Sequence, residues 1–166
     1  MKKEKTIDFY IKWAWHSISR MYNAYANPND MTMAIGYVLL NIDSEKGTPA
    51  TKIGPSIGME PRSLTRMLKT LEEKGWIYRE TDPIDKRFVN VFLTDLGKEK
   101  RSFARLGVIE FNNKLSETLS KEQLKTRIKV MEDSLKGLQA NLNEIKQIPN
   151  LTHFELINRL LDYYHN

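Results

Sequence analysis

Cationic and hydroxyl side chains recur at helical spacing near the middle of this chain. Four of them stand at positions i, i+3, i+4 and i+7: Arg62, Thr65, Arg66 and Lys69. Residues with this spacing share one face of an α-helix. A guanidinium group can donate to guanine edges or to phosphate, and an ammonium group suits phosphate. The chemistry of this face is therefore polyanion binding, although a merely solvated helix face would show the same stripe.

A second stripe of side chains, which are aliphatic, would pack such a helix against a core. Its aliphatic members lie two residues out of step with the cations: Leu64, Met67, Leu68 and Leu71. Pro61 suits the first position of a helix and Gly75 suits its exit. The pattern predicts an amphipathic helix over Pro61–Lys74, with its cations in solvent and its aliphatic side chains in a core.

A predicted hairpin follows this helix directly. The stretches Trp76–Arg79 and Phe88–Leu93 have the composition of strands, and the polar loop between them carries the adjacent cations Lys86 and Arg87. Asp82 and Asp85 in this loop are ordinary turn residues rather than a metal-binding or acid–base pair. A cationic helix followed at once by a hairpin with a basic tip is the arrangement of a winged helix that binds DNA.

The remaining elements are predicted to be helical. A short turn containing Gly58 separates a third helix from the cationic fourth, as in a helix-turn-helix. The Ser44–Pro49 connection contains Gly47 and Pro49 and is predicted to be loop. Thr94 is placed to cap a helix that runs to about Leu119. The other predicted helices are Thr6–Ala26, Met33–Asp43, Ala50–Ile57, one opened by the capping-box pair Ser120 and Gln123 and ending near Pro149, and a terminal helix over 152–165.

Two of these helices carry heptad-like apolar seams, at Ile7–Tyr25 and at Leu124–Ile145. A compact winged helix does not need them for its own core, so they must be buried on each other or on another subunit. A homodimer is the economical solution, and a monomeric bundle is the alternative. The predicted fold class is mainly α with a small β-hairpin wing. A winged helix-turn-helix domain at 30–94 would lie between helical dimerisation regions at 1–29 and 95–166.

Composition excludes several classes of function. The chain has 166 residues, a net charge of +5 and no cysteine, which excludes disulfides and thiolate metal sites. No apolar run is long enough to span a membrane and no signal-peptide core is evident, so we expect a soluble cytoplasmic protein. The sequence has no nucleophile elbow, phosphate loop, dinucleotide fingerprint or zinc motif, and its histidines lack ligand spacing. We therefore expect no enzyme activity, no cofactor and no metal.

Three stretches resemble the multiple-antibiotic-resistance regulator (MarR) family of winged-helix transcription factors. Leu64–Arg79 is similar to the family's recognition helix leading into the first wing strand. Asp82–Arg87 is similar to its wing signature, and Val91–Gly97 to the strand-to-helix turn that returns to the dimerisation region. Two positions depart from the pattern. Glu60 stands where a Ser, Thr or Asp cap would be ordinary, and Pro55 lies inside the third helix.

The resemblance implies a cytoplasmic homodimer that binds a roughly palindromic double-stranded operator. Helix 61–74 would enter the major groove and wing 79–90 the minor groove, with Arg87 as the minor-groove reader and Asp85 as its orienting carboxylate. The DNA-binding residues predicted in this way are Arg62, Ser63, Thr65, Arg66, Lys69, Asp85, Lys86 and Arg87.

Effector binding and the direction of regulation stay open at this point. A repressor is the expected form. Aromatic side chains in the first two helices suggest a pocket for a small aromatic effector, although core or interface packing explains any one of them as well: Tyr10, Trp13, Trp15, Tyr22, Tyr25 and Tyr37, beside His16. The alternative function is a winged helix that binds a protein partner instead of DNA.

Overall fold

A computed structural model describes residues 6–82 and 85–147. The described residues form two compact units, the first ending at Asn113 and the second beginning at Lys114. The predicted terminal helix at 152–165 lies outside the described residues. The helices and strands, in chain order, are α1 Ile7–Ala26, a 3-10 turn Asn27–Asn29, α2 Met33–Leu40, β1 Thr48–Pro49, α3 Ala50–Ile57, α4 Pro61–Glu73, β2 Ile77–Thr81, β3 Val89–Leu93, α5 Asp95–Thr118 and α6 Lys121–Gln147. The predicted fold class is confirmed.

Side-chain caps explain where several helices begin. The Thr94 hydroxyl accepts a hydrogen bond from the Gly97 amide at 3.0 Å at the start of α5. At the start of α6, the Ser120 amide donates to Gln123 Oε1 at 2.9 Å and the Gln123 amide donates to Ser120 Oγ at 3.2 Å. These bonds satisfy amides that have no partner inside a helix. Both predicted helix starts are thus confirmed.

The sheet contains one strand more than the predicted hairpin. Strands β2 and β3 pair antiparallel from Ile77 opposite Leu93 to Thr81 opposite Val89. On the other edge of β3, Thr48 pairs with Val91, so the strand order is β1-β3-β2. The segment that contains β1 was predicted to be entirely loop. That prediction was wrong for these residues because a two-residue strand is too short to show alternation.

Helix α2 is shorter than predicted. It ends at Leu40 rather than at Asp43. The Asp43 carboxylate accepts hydrogen bonds from the backbone amides of Glu45 at 2.9 Å and Lys46 at 2.8 Å. A short acidic side chain that bonds to nearby amides in this way competes with helix formation.

A single apolar core in the first unit lies behind α4. The aliphatic stripe of α4 is buried there, since Leu64, Leu68 and Leu71 are at most 6% exposed. Burying each of these side chains contributes about 1.5–3 kcal/mol. They pack with buried residues of α2, α3, the sheet and the turns that adjoin them: Val38, Leu39, Ile42, Ile53, Trp76, Ile77, Val91 and Leu93. Burial of this face leaves the opposite face of α4 in solvent. None of the helices in residues 6–82 and 85–147 is long and apolar enough to cross a membrane.

Candidate nucleic-acid interface

The outer face of α4 carries three exposed cations. Arg62, Arg66 and Lys69 are all exposed, and within the described residues neither arginine has an ion-pair partner. Lys69 Nζ lies 3.8 Å from Glu73 Oε1, and both side chains are largely exposed, so water screens this pair strongly. All three cations can therefore engage an external anion without breaking a strong internal contact.

The two hydroxyl residues of α4 differ in their surroundings. Thr65 is exposed, and its hydroxyl donates to the Pro61 carbonyl at 2.9 Å within the same helix. Its oxygen lone pairs stay able to accept. Ser63 is half-buried. The structure brings Thr65 onto the same exposed face as the cations and sets Ser63 partly inside.

The turn between α3 and α4 has the backbone that a helix-turn-helix needs. Gly58 has a φ of 65°, in the left-handed region where glycine is favoured. The Met59 amide donates to the Gly54 carbonyl at 3.0 Å, which closes the end of α3. The turn delivers Pro61 to the first position of α4, as predicted from the sequence.

A carboxylate shapes the wing turn. Asp82 Oδ1 accepts from the Asp85 amide at 3.0 Å, and Asp82 Oδ2 accepts from the Asn90 side chain at 3.2 Å. The Asp82 amide donates to the Phe88 carbonyl at 2.9 Å, which joins the two sides of the loop. These bonds confirm the interpretation of Asp82 as a turn residue.

At the tip of the wing, Asp85 and Arg87 form a two-pronged ion pair. Arg87 donates from Nε to Asp85 Oδ1 at 2.9 Å and from its terminal nitrogen to Oδ2 at 2.7 Å. The guanidinium lowers the pKa of Asp85, and the carboxylate raises the pKa of Arg87. The Arg87 side chain is nevertheless 85% exposed, and the neighbouring Lys86 is exposed too. The pair sets the direction of a guanidinium that still faces solvent.

Two contacts that the sequence did not reveal attach α4 to its surroundings. Arg79 of β2 pairs with Glu72 of α4, and this guanidinium lowers the pKa of Glu72. Lys74, which caps the C-terminal end of α4, pairs with Asp30 in the turn after the 3-10 segment. Partners from separate elements leave no periodic signal, so only the fold could reveal these contacts.

The buried Trp76 ring joins the end of α4 to α5. Lys74 Nζ and Lys100 Nζ lie 5.1 Å and 5.2 Å from the Trp76 ring, within the range of cation–π attraction. Lys100 also donates to the Asn29 carbonyl at 3.0 Å. The position of the cationic helix is thus tied to α5 and to the α1–α2 junction.

Some of the aromatic residues singled out in the sequence surround a small cavity. Tyr22, Tyr25 and Tyr37 line it, together with Phe103, which stacks on Tyr25 at 4.7 Å between ring centroids. The cavity volume is about 30 Å³, roughly the volume of one water. Burial raises the pKa values of Tyr22 and Tyr37.

The other aromatic residues of α1 lie elsewhere. Tyr10, Trp13 and Trp15 are 52–57% exposed and are not among the residues that line the cavity, and His16 is also exposed. Among the described residues, no group of histidine and acidic side chains is arranged to hold a metal ion.

Comparison with known proteins gives consistent results. The sequence profile of the MarR family matches residues 31–89. The HTH-type transcriptional regulator TtmR of Methylorubrum extorquens is 33% identical over 90 residues, which are 54% of this chain and 46% of that protein. The chain thus spans less than half the length of this relative. The HTH-type transcriptional regulator SarZ of Staphylococcus aureus is 28% identical over 68% of this chain and 75% of its own length.

Solved structures show the same fold. The MepR–DNA complex of S. aureus superposes with a TM-score of 0.75 at 21% identity, over 81% of this chain and 99% of that one. A mutant of Escherichia coli MarR complexed with operator DNA gives a TM-score of 0.67 at 28% identity, over 75% of this chain and 90% of that one.

The helix-turn-helix of α3 and α4, followed by the β2–β3 hairpin, defines a winged helix-turn-helix protein. The profile match and both curated relatives narrow this class further. Residues 31–89 of the chain thus match the MarR family of transcriptional regulators.

Proposed function

We propose that this chain binds double-stranded DNA sequence-specifically and regulates transcription in the cytoplasm as a homodimeric repressor. Helix α4 would enter the major groove and wing 79–90 the adjacent minor groove of a roughly palindromic operator. The predicted DNA-binding residues of α4 and of the wing would make these contacts. No catalytic step is required of any of them.

One observation carries the proposal. The exposed face of α4 holds Arg62 and Arg66, two arginines without an ion-pair partner among the described residues. Arginine alone would also suit a protein–protein interface, but lysine is depleted there, and Lys69 continues the same stripe; phosphate binding uses both kinds of cation. The oriented Arg87 at the wing tip adds a third guanidinium, of the kind that suits a narrow minor groove.

A homodimer would give the operator its two-fold symmetry. Helix α1 exposes four large aromatic side chains, Phe9, Tyr10, Trp13 and Trp15, which are 38–57% exposed. The Phe9 ring contacts those of Tyr10 and Trp13, at 5.7 Å and 6.2 Å between centroids, and an exposed aromatic cluster of this kind typically marks an interface. A second copy of the chain would bury it, and two copies of α4 could then reach half-sites about one DNA turn apart.

We also propose that a small aromatic effector binds this chain at the cavity between its first two helices and α5. The cavity lined by Tyr22, Tyr25 and Tyr37 is apolar and lies between α1, α2 and α5. At about 30 Å³ it is too small for an aromatic ring, so an effector would have to displace the Phe103 ring from its stack on Tyr25.

A gel-shift titration tests the proposal. We expect the wild type to retard a subset of genomic fragments, with affinity that falls steeply as salt rises. The double variant Arg62→Ala/Arg66→Ala should lose that binding. Arg105→Ala, which removes an exposed cation of α5, should keep it. If the wild type binds no fragment at low salt, the proposal fails and a protein-binding winged helix becomes the better interpretation.

A further inference from the structure

Glu60 is an acidic residue at the leading end of a cationic helix. It is the N-cap residue of α4, with an extended backbone conformation at φ −60° and ψ 139°. Its carbonyl accepts the first bonds of the helix, from the amides of Ser63 and Leu64, both at 3.0 Å. In helix-turn-helix proteins the N-terminal residues of this helix contact base edges. Glu60 therefore lies where base contacts are made.

The Glu60 carboxylate has no internal role that would account for it. The side chain is exposed and makes no capping hydrogen bond to α4. Within the described part of the chain it also forms no ion pair, although Arg62 lies only two residues away. Glu60 is one of the residues that line a groove of about 570 Å³ between α3 and α4, beside Pro61, Leu64 and Thr65. Its hydrogen-bonding capacity is free for an external donor.

The surface of DNA offers few donors to a carboxylate. Phosphates repel it, and most groups exposed in the major groove are acceptors: N7 and O6 of guanine, N7 of adenine and O4 of thymine. The donors in that groove are the exocyclic amino groups, N4 of cytosine and N6 of adenine. A carboxylate at the tip of α4 is thus stabilised on sequences that present an amino group and is destabilised elsewhere.

We propose that Glu60 is a specificity-determining residue that accepts a hydrogen bond from the amino group of cytosine or adenine at one position in each half-site. This inference rests on the proposed DNA binding. It assigns Glu60 a role distinct from that of the neighbouring arginines, because an arginine can gain affinity from phosphate as well as from a guanine edge, whereas Glu60 gains affinity only where the DNA presents an amino group.

The test is a selection from a random-sequence duplex library with the wild type and two variants. Glu60→Ala removes the acceptor. Its preference at one position per half-site should fall by about fivefold, the lower end of what a base-edge contact contributes. Its binding to unrelated DNA should rise, because a repulsive charge is gone. The base preferred by the wild type at that position distinguishes cytosine from adenine.

Glu60→Asp separates base recognition from a structural role. Aspartate keeps the charge and is a good N-cap residue, but its carboxylate is one methylene nearer the backbone. This variant should no longer reach the amino group of the base, whereas a capping role would be kept and thermal stability maintained. Glu99→Ala, which removes an exposed acidic residue of α5, is the matched control and should leave the preference unchanged.

The outcomes distinguish a failure of the proposed DNA binding from a failure of the proposed role of Glu60. If the wild type selects no sequence, the proposed function itself fails. If the wild type selects a motif and Glu60→Ala selects the same motif with equal preference at every position, only the role of Glu60 is overturned. The same holds if Glu60→Asp keeps the full preference, or if Glu99→Ala changes it as much as Glu60→Ala does.

Discussion

Gly97 in the first turn of α5 should be the least replaceable glycine of the first compact unit. A Cβ at this position would lie 1.8 Å from the Trp76 carbonyl oxygen and 2.9 Å from the Trp76 carbonyl carbon. Ordinary contact begins near 3.4 Å, so the two backbones would have to separate by about 1.6 Å. The neighbouring atom is backbone, so it cannot rotate away as the end of a side chain can.

The cost of Gly97→Ala can be worked from this geometry. Forced over-packing costs about 1–3 kcal/mol. The Trp76 carbonyl also accepts a hydrogen bond from the Thr94 amide at 3.1 Å, and breaking that bond adds about 1 kcal/mol. The higher helix propensity of alanine stabilises α5 by up to about 1 kcal/mol relative to glycine. We expect a net loss of about 1–3 kcal/mol in the free energy of unfolding, or roughly 2–12 °C in Tm for a chain of this size.

Urea denaturation and thermal melting followed by circular dichroism measure this loss. The matched control is Gly137→Ala in α6, where the added methyl group would meet no atom of the described residues within 4 Å apart from its chain neighbours and the backbone of its own helix. The control should be neutral or more stable by up to about 1 kcal/mol. The reasoning is refuted if Gly97→Ala is as stable as the wild type, or if both variants lose the same stability.

The other predictions concern individual side chains of the interface and one helix cap. Arg66→Ala should cost about 1–3 kcal/mol per half-site and relax preference at one base position, as measured by library selection. Lys69→Ala should weaken binding to all sequences evenly and reduce the salt slope by about one unit for each phosphate that the lysine neutralises. A sequence-specific loss from Lys69→Ala together with a uniform loss from Arg66→Ala would mean that α4 lies in the groove in the opposite orientation. Arg87→Ala should lose affinity chiefly for operators with AT-rich flanks. Asp85→Ala should lose part of the same affinity, because the Arg87 guanidinium is no longer oriented. If both variants bind as the wild type does, the wing has no role in the minor groove. Ser120→Ala should cost about 0.5–2 kcal/mol in urea denaturation, since it removes the cap of α6, and an unchanged midpoint would show that the cap contributes nothing.

Local patterns were sufficient for most of the fold. The paired stripes of α4 predicted both its bounds and its buried face, and Leu71 is fully buried as expected. Thr94 and Ser120 marked helix starts because a cap joins residues that are three apart in sequence. The prediction of a MarR-like winged helix is confirmed by the fold and by the family match. The DNA-binding residues stay predictions.

Apart from the end of α2, where Asp43 bonds to nearby amides, the errors came from contacts between distant parts of the chain. The segment containing β1 was predicted as loop because the pairing of Thr48 with Val91 joins residues far apart in sequence. Of the aromatic residues in α1 that were considered for a pocket, Tyr22 and Tyr25 line the cavity whereas Trp13 and Trp15 do not. Composition cannot separate these pairs, because the packing of α2 and α5 decides which side chains are enclosed.

The amino-acid sequence by itself determined the amphipathic helix α4, the turn before it and the basic tip of the wing. Each of these depends on the spacing of neighbouring residues, which secondary structure converts directly into a face or a turn. Only the tertiary structure decided how that helix is held. Glu72 pairs with Arg79, Lys74 pairs with Asp30, and the carbonyl of Trp76 leaves no room for a side chain at residue 97. The physical reason is that such contacts join separate elements, so they exist only once the common core has brought those elements together.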